Sequence, residues 1–177
     1  MIQKIKPNIW QIGFKAFSSY VYLLKLDRKN ILIDTGSRSA KEELIESLKK
    51  LKLKPEDIGI ILLTHNHWDH TENLDLFKKA KVYGHKKGFP EDKNILDINK
   101  LKLKEIEIIE TPGHSPGDVC FYIPKEKILF SGDVIFHKGY IGRTDFPSSI
   151  PHKMQESLDK LKKLDYKILL PGHGVDD

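Results

Sequence analysis

The chain of 177 residues has one cysteine, two methionines and two tryptophans. A single thiol cannot build a disulfide framework, so a cytoplasmic, reducing home is expected. No apolar run nears the ~20 residues that span a bilayer, so no membrane partner is expected. The opening MIQKIKPNIWQIGF lacks the basic-then-apolar pattern of a secretory leader. There is no internal repeat, low-complexity tract or obvious linker. With 39% hydrophobic and 31% charged residues, nothing points to disorder. One domain over residues 1–177 is expected, long enough to bury a sizeable core. The oligomeric state is not legible.

Long runs of one charge are also missing. Thirty lysines and arginines face 25 acidic residues, a net +5. A basic chain invites a nucleic-acid reading. Here the lysines are interleaved with glutamates, as in KEELIESLKKLKLKPED, which is the pattern of a solvated helix face. No nucleic-acid partner is expected. Cys120, within DVCFYI, reads as a small buried thiol in a strand.

What is present is a series of short apolar runs. NIWQIGF, SSYVYLLKL and NILIDTG read as successive strands, with LDRKN as a hairpin turn. SRSAKEELIESLKKLKL reads as an amphipathic helix with Leu44, Leu48 and Leu51 on one face, Ser39 as N-cap and Glu42 three residues on. IGIILLT is a strand, NLDLFKKA a short helix and KVYGH a strand. KKGFPEDKNILDINK, full of breakers, reads as a loop. KEIEIIET, DVCFYIP and KILF are strands, PHKMQESLDKLKKL is a helix with Met154, Leu158 and Leu161 on one face, and YKILL is a closing strand. Helices between groups of strands suggest sheets packed face to face with helices outside.

Four of these strands run into potential metal ligands. IGIILLT leads into His65, His67, Asp69 and His70. KEIEIIET leads into Pro112-Gly113-His114, KILF into Ser131-Gly132-Asp133, and YKILL into Pro171-Gly172-His173. Glycine in such turns lets the backbone bend sharply and approach a ligand. Five imidazoles and two carboxylates exceed the needs of one tetrahedral zinc. They suit two metals sharing a carboxylate, and nitrogen and oxygen donors without thiolates suit zinc, iron or manganese. Any one of these histidines alone would read as a hydrogen-bonded loop residue.

THNHWDH, TPGHSPGD, LFSGD and LPGHG, in this order and spacing, resemble the metallo-β-lactamase superfamily over nearly the whole chain, from DTG at 34 to PGHG at 174. SGDVIFHKGYIGRTDFP looks like the glyoxalase II group, the hydroxyacylglutathione hydrolases and their short relatives. The resemblance implies an α+β fold, the αββα sandwich of two mixed sheets with metals at the sheet edge. It implies His65, His67 and His114 on one metal, Asp69, His70 and His173 on a second, and Asp133 bridging. Asp34 resembles the family's buried aspartate supporting the ligand loop; a turn residue capping the next helix is the alternative. Arg143 and Lys138 are candidates for a cationic contact to the thiol part of a substrate, with Tyr140 on the same wall. For Arg143 the alternative is an internal salt bridge with Asp145. His85, His137, His152 and Trp68 are read as rim, loop or packing residues.

The implied activity is binuclear hydrolysis of a small thioester such as an S-lactoyl thiol, with two divalent ions, zinc first. A metal lowers the pKa of its bound water from about 15.7 to about 7, and Asp69 is placed to orient the resulting nucleophile. A thiol with a pKa of about 8.5 leaves without strong acid help. Glyoxalase II carries a C-terminal helical domain, whereas only four residues follow His173, among them the acidic pair of GVDD. That domain is expected to be absent, and glutathione itself need not be the thiol. The competing readings are a mononuclear iron persulfide dioxygenase, a nuclease of the same superfamily, and a metal-binding protein without catalysis.

Overall fold

The structure, a computed structural model, describes residues 1–174. The acidic pair of GVDD therefore lies outside the described residues. Among those described, eleven strands form a seven-stranded sheet, in order β1 to β7, and a four-stranded sheet, in order β11-β10-β9-β8. By its internal contacts the chain divides into two compact units. One comprises Met1–Leu63, His67–Tyr83 and Asn94–Leu96; the other comprises Thr64–Asn66, Gly84–Lys93 and the chain from Asp97 onward.

In the first unit, β1 (Ile2–Lys6), β2 (Ile9–Ile12), β3 (Val21–Leu26) and β4 (Lys29–Ile33) form an antiparallel meander. β4 then pairs in parallel with β5 (Ile60–Leu62), Ile31 opposite Ile60 and Ile33 opposite Leu62. Ile31, Leu32, Ile33, Ile61 and Leu62 are fully or almost fully buried, as expected of parallel strands covered on both faces. The helix between them, α1 (Lys41–Lys50), buries Leu44, Ser47 and Leu48 and leaves Glu42, Glu46, Lys49 and Lys50 to solvent. Because β4 and β5 run the same way, the DTG and THNHWDH segments leave the sheet at the same end. The amide of Asp34 donates to the carbonyl of Leu62 at 2.9 Å and joins those exits. β6 (Lys81–Gly84) extends the parallel run, and β7 (Ile95–Asp97) follows it in the sheet order.

The second unit holds β8 (Glu107–Glu110), β9 (Val119–Ile123), β10 (Ile128–Gly132) and β11 (Ile168–Pro171). β9 is antiparallel to both β8 and β10, and β10 and β11 are parallel. β8, β10 and β11 therefore point the same way, and TPGH, SGD and PGH leave one edge. The helix α3 (Pro151–Leu161), started by a proline at its first position where no amide hydrogen bond is lost, places Met154 and Leu161 in a cluster with Cys120, Tyr122, Leu129 and Val134. Leu158 packs against that cluster, as its spacing predicts.

Several local expectations differ from the structure. MIQKIK forms an edge strand, with a bulge between Lys4 and Lys6 that breaks its alternation. The segment read as a loop contains the short strand β7. NLDLFKKA forms only a single 3-10 turn at Leu74–Leu76, too short a run for helix without tertiary support. Ser39 caps nothing: α1 begins after Ala40, and the Ser39 hydroxyl lies 2.8 Å from that of Ser37. The chain between His67 and Glu72 forms a four-residue helix, α2 (Trp68–Thr71), which hydrophobic periodicity does not reveal.

Candidate metal centre

In the first unit the ligand-bearing segment is sewn to the end of β4. Asp34 has φ +58° and Gly36 φ +75°, left-handed values that Asp tolerates better than most residues and Gly freely. This turn brings Oδ2 of Asp34 to 2.7 Å from Nδ1 of the fully buried His70. The Thr35 amide and hydroxyl both donate to the His70 carbonyl, at 2.7 and 3.1 Å. The buried Asn73 amide donates to the carbonyls of Thr35 and Ser37 at 2.9 and 2.7 Å. The supporting role for Asp34 is the one the geometry displays; it caps no helix. With Nδ1 donating to a carboxylate, Nε2 is the ligand atom His70 can offer, and it lies 3.9 Å from Oδ2 of Asp69. His67 sits at the N-cap of α2, and its carbonyl accepts from the Thr71 hydroxyl at 3.1 Å.

In the second unit three imidazoles gather about Asp133. Nε2 of His114 and Nε2 of His173 each lie 3.6 Å from the same Asp133 oxygen, Oδ2. The ligand atom of His65 lies within 4.8 Å of those of His114 and Asp133, and the His65 and His114 rings meet edge-on at 5.0 Å. Nδ1 of His114 donates to the Arg143 carbonyl at 2.7 Å, and Nδ1 of His65 lies 3.1 Å from the Thr64 hydroxyl. Nε2 is again the atom each ring can offer, the arrangement usual for metal-bound imidazoles.

Three close approaches hold this geometry. Gly132 has φ +49°, and a Cβ there would sit 2.8 Å from Cβ of Thr64. A Cβ on Gly142 would sit 1.8 Å from the Asp133 carbonyl oxygen. The Gly172 amide donates to the Gly132 carbonyl at 2.7 Å and ties the exits of β10 and β11 together.

The donor set suits a divalent metal. A separation of 3.6 Å is too long for a hydrogen bond, whereas two donors about 2.1 Å from one tetrahedral ion lie about 3.4 Å apart. No cysteine takes part. Cys120 is fully buried, and burial pushes its thiol up to about 12.

Asp118 went unrecognised in the sequence. It is buried and accepts from the Ser115 amide and hydroxyl, both at 2.6 Å. Burial pushes its carboxyl up to about 7, against the pull of the Ser115 hydrogen bonds and with a further push from the charge of Asp133. It braces the turn that carries His114. The Ser-x-x-Asp spacing of HSPGD was the available signal. Gly142 was also missed, since a single glycine in a loop announces no partner.

The candidate substrate residues are placed differently. Arg143 forms a two-pronged, solvent-exposed pair with Asp145 at 2.9 and 2.8 Å and stacks 4.6 Å above the Phe146 ring. This is the internal salt bridge considered for it. Lys138, at φ +60°, lines a cavity of about 360 Å³ with Ile135, Leu158 and Tyr166, whose walls include none of the seven candidate ligands. Tyr140 is exposed. His85 is buried, with Nε2 3.2 Å from Glu110, which suits its reading as a spectator. His137 lines the same cavity as Lys138, and His152 is exposed at the start of α3.

Comparison with known proteins places the motifs in context. The sequence model of the metallo-beta-lactamase superfamily matches residues 15–88 and 81–173. A probable metallo-hydrolase of Methanocaldococcus jannaschii is 33% identical, over 82% of this chain and 71% of its own. A hydroxyacylglutathione hydrolase of Haemophilus influenzae is 32% identical, over 94% and 91%. A protein solved in a di-iron-bound form superposes with a TM-score of 0.80 at 27% identity, covering 93% of this chain and 91% of its own. The α+β class expected from the motifs is borne out, with its αββα metallo-β-lactamase architecture and its two mixed sheets of seven and four strands.

Proposed function

The chain belongs to the metallo-beta-lactamase superfamily, and from that premise we propose that it is a binuclear metallohydrolase of small thioesters, working as one catalytic domain. The observation that supports this reading is Oδ2 of Asp133, 3.6 Å from both His114 and His173, a position from which it would be shared between two ions. His65, His67 and His114 would hold one ion, and Asp69, His70 and His173 would hold the other. Zinc is the proposed metal, with iron and manganese compatible with the same donors.

Divalent metal bound there supplies an activated water near neutral pH and positive charge for the carbonyl oxygen. The protein's own residues do the rest. Asp69 accepts a proton from the attacking water and fixes its direction. Asp34 holds His70 in the tautomer that presents Nε2, and the Arg143 carbonyl does the same for His114. The leaving thiolate, from a thiol with a pKa of about 8.5, needs no acid, and the site offers no obvious one. Arg143, Lys138 and Tyr140 receive the polar part of the thiol; for Arg143 this requires release from Asp145.

The test combines metal analysis of protein purified without added metal with hydrolysis of S-lactoyl thioesters. Two equivalents per chain and metal-dependent hydrolysis are expected. One equivalent in a metal-replete sample overturns the binuclear assignment. One iron with oxygen uptake marks oxygenase chemistry instead.

A further inference from the structure

Phe17 and Trp68 are large apolar side chains that stand 61% and 53% exposed. Their rings meet at 5.7 Å between centroids, tilted by 33°. Exposed aromatic surface is costly to leave in water, and a contiguous exposed patch commonly marks a binding site. Both residues belong to the first unit.

The pair does not dangle on a loose loop. The Lys15 and Ala16 amides donate to the Glu43 carboxylate, at 3.0 and 3.2 Å. The Phe17 carbonyl accepts from the Ser37 hydroxyl at 2.6 Å. The Ser18 hydroxyl accepts from the Ser37 amide at 2.9 Å. The Ser19 amide donates to the carbonyl of Asp69 at 3.2 Å. These bonds span the turn between β2 and β3 and tie it both to the DTG exit and to the candidate ligand Asp69. Trp68 itself stands between His67 and Asp69 in the chain. A fixed aromatic surface costs little further entropy when a ligand settles on it.

We propose that Phe17 and Trp68 form the recognition surface for the acyl group of the thioester, and that the preferred acyl group is aliphatic rather than a short hydroxyacyl. This rests on the thioester reading above. Under that reading the apolar part of the substrate is its acyl group, and Trp68 stands in the chain between the candidate ligands His67 and Asp69. Phe17 offers no polar atom and Trp68 a single indole N–H, whereas both rings offer apolar area to methylenes.

The experiment uses the metal-loaded chain and acetyl, butyryl and hexanoyl thioesters of one small thiol, with the lactoyl thioester alongside. In the wild type kcat/KM is expected to rise about two- to fourfold per added methylene and to exceed the lactoyl value from butyryl upward. Phe17→Ser, which replaces no candidate ligand, is expected to flatten the series while the metal content stays at the wild-type level. Trp68→Ala is expected to flatten it too, with Trp68→Phe restoring much of the slope. A second readout, independent of turnover, is the affinity of non-hydrolysable thioether analogues, which should rise with chain length in the wild type and not in Phe17→Ser. A flat series in an enzyme that hydrolyses all four thioesters, or an undiminished slope in Phe17→Ser, overturns the inference. Failure to hydrolyse any thioester overturns the underlying reading, and this inference with it.

Discussion

The two units of the chain each carry their candidate ligands at the ends of strands that run the same way, but they stiffen those residues differently. In the first, a side chain does it: Asp34 holds Nδ1 of His70 at 2.7 Å. In the second, the backbone does it: the Arg143 carbonyl holds Nδ1 of His114 at the same distance, and Gly132 and Gly142 let neighbouring chain come within contact of Thr64 and Asp133. A carboxylate lends its imidazole negative charge and can be removed by one substitution. A carbonyl survives every substitution of its own residue, yet depends on the path of the loop that carries it. The two histidines should therefore be vulnerable to different kinds of change.

The sharpest break is expected at the residue both second-unit histidines share. Asp133→Ala should lower turnover by more than about 100-fold, beyond the ~10–100-fold usual when an outer partner of a metal ligand is lost. It should also deplete both metals. His173→Ala should be milder, with one ion retained. Turnover together with metal stoichiometry decides; near-normal values for Asp133→Ala, with the His173 variant inert, would defeat the shared-carboxylate assignment.

Gly142→Ala comes next, because the added carbon would meet the Asp133 carbonyl oxygen at 1.8 Å and the loop must move. A stability loss of about 1–3 kcal/mol is expected from overpacking, with weakened metal binding as the Arg143 carbonyl leaves His114. Denaturant midpoints and metal titration measure the two effects. Asp34→Ala should weaken metal binding by about 10–100-fold through His70, and Asp34→Asn, which still offers an oxygen acceptor, by less. Equal losses in the two Asp34 variants would mean that the charge, and not the hydrogen bond, carries the support.

Arg143→Ala is the contrasting case. It keeps the carbonyl that holds His114 and removes only the guanidinium, so the metals should stay and KM should rise with kcat little changed. Loss of metal would show instead that the Arg143–Asp145 pair shapes the loop. Smallest of all is the response of Cys120 in the native protein. With its thiol pushed up to about 12 by burial, it should resist an aromatic disulfide reagent at pH 8 and react only once the chain is unfolded; prompt labelling would show that the second unit opens readily.

Much of this was legible in the linear chain. Apolar runs ending in HNHWDH, PGH, SGD and PGH mark strand ends without any structure, because buried strands are apolar and three of the four turns carry the glycine that lets a backbone bend sharply. Elements whose character depends on neighbours were not legible. β1 has two lysines in five residues and is broken by a bulge, and β7 is three residues long, so neither carries a periodic signal. The helix read over NLDLFKKA shrank to one turn because local propensity over eight residues does not outweigh chain entropy.

The sequence alone determined which donors exist, their order, their attachment to strand ends and the absence of any thiolate rival. Only the tertiary structure decided which atom of each histidine is turned to which partner. A hydrogen bond between residues 36 apart, as for Asp34 and His70, or 29 apart, as for His114 and Arg143, depends on the parallel alignment of strands and on glycines that admit close backbone. A carbonyl acceptor is the same in every residue, so no reading of side-chain types can reveal it before the chain has folded.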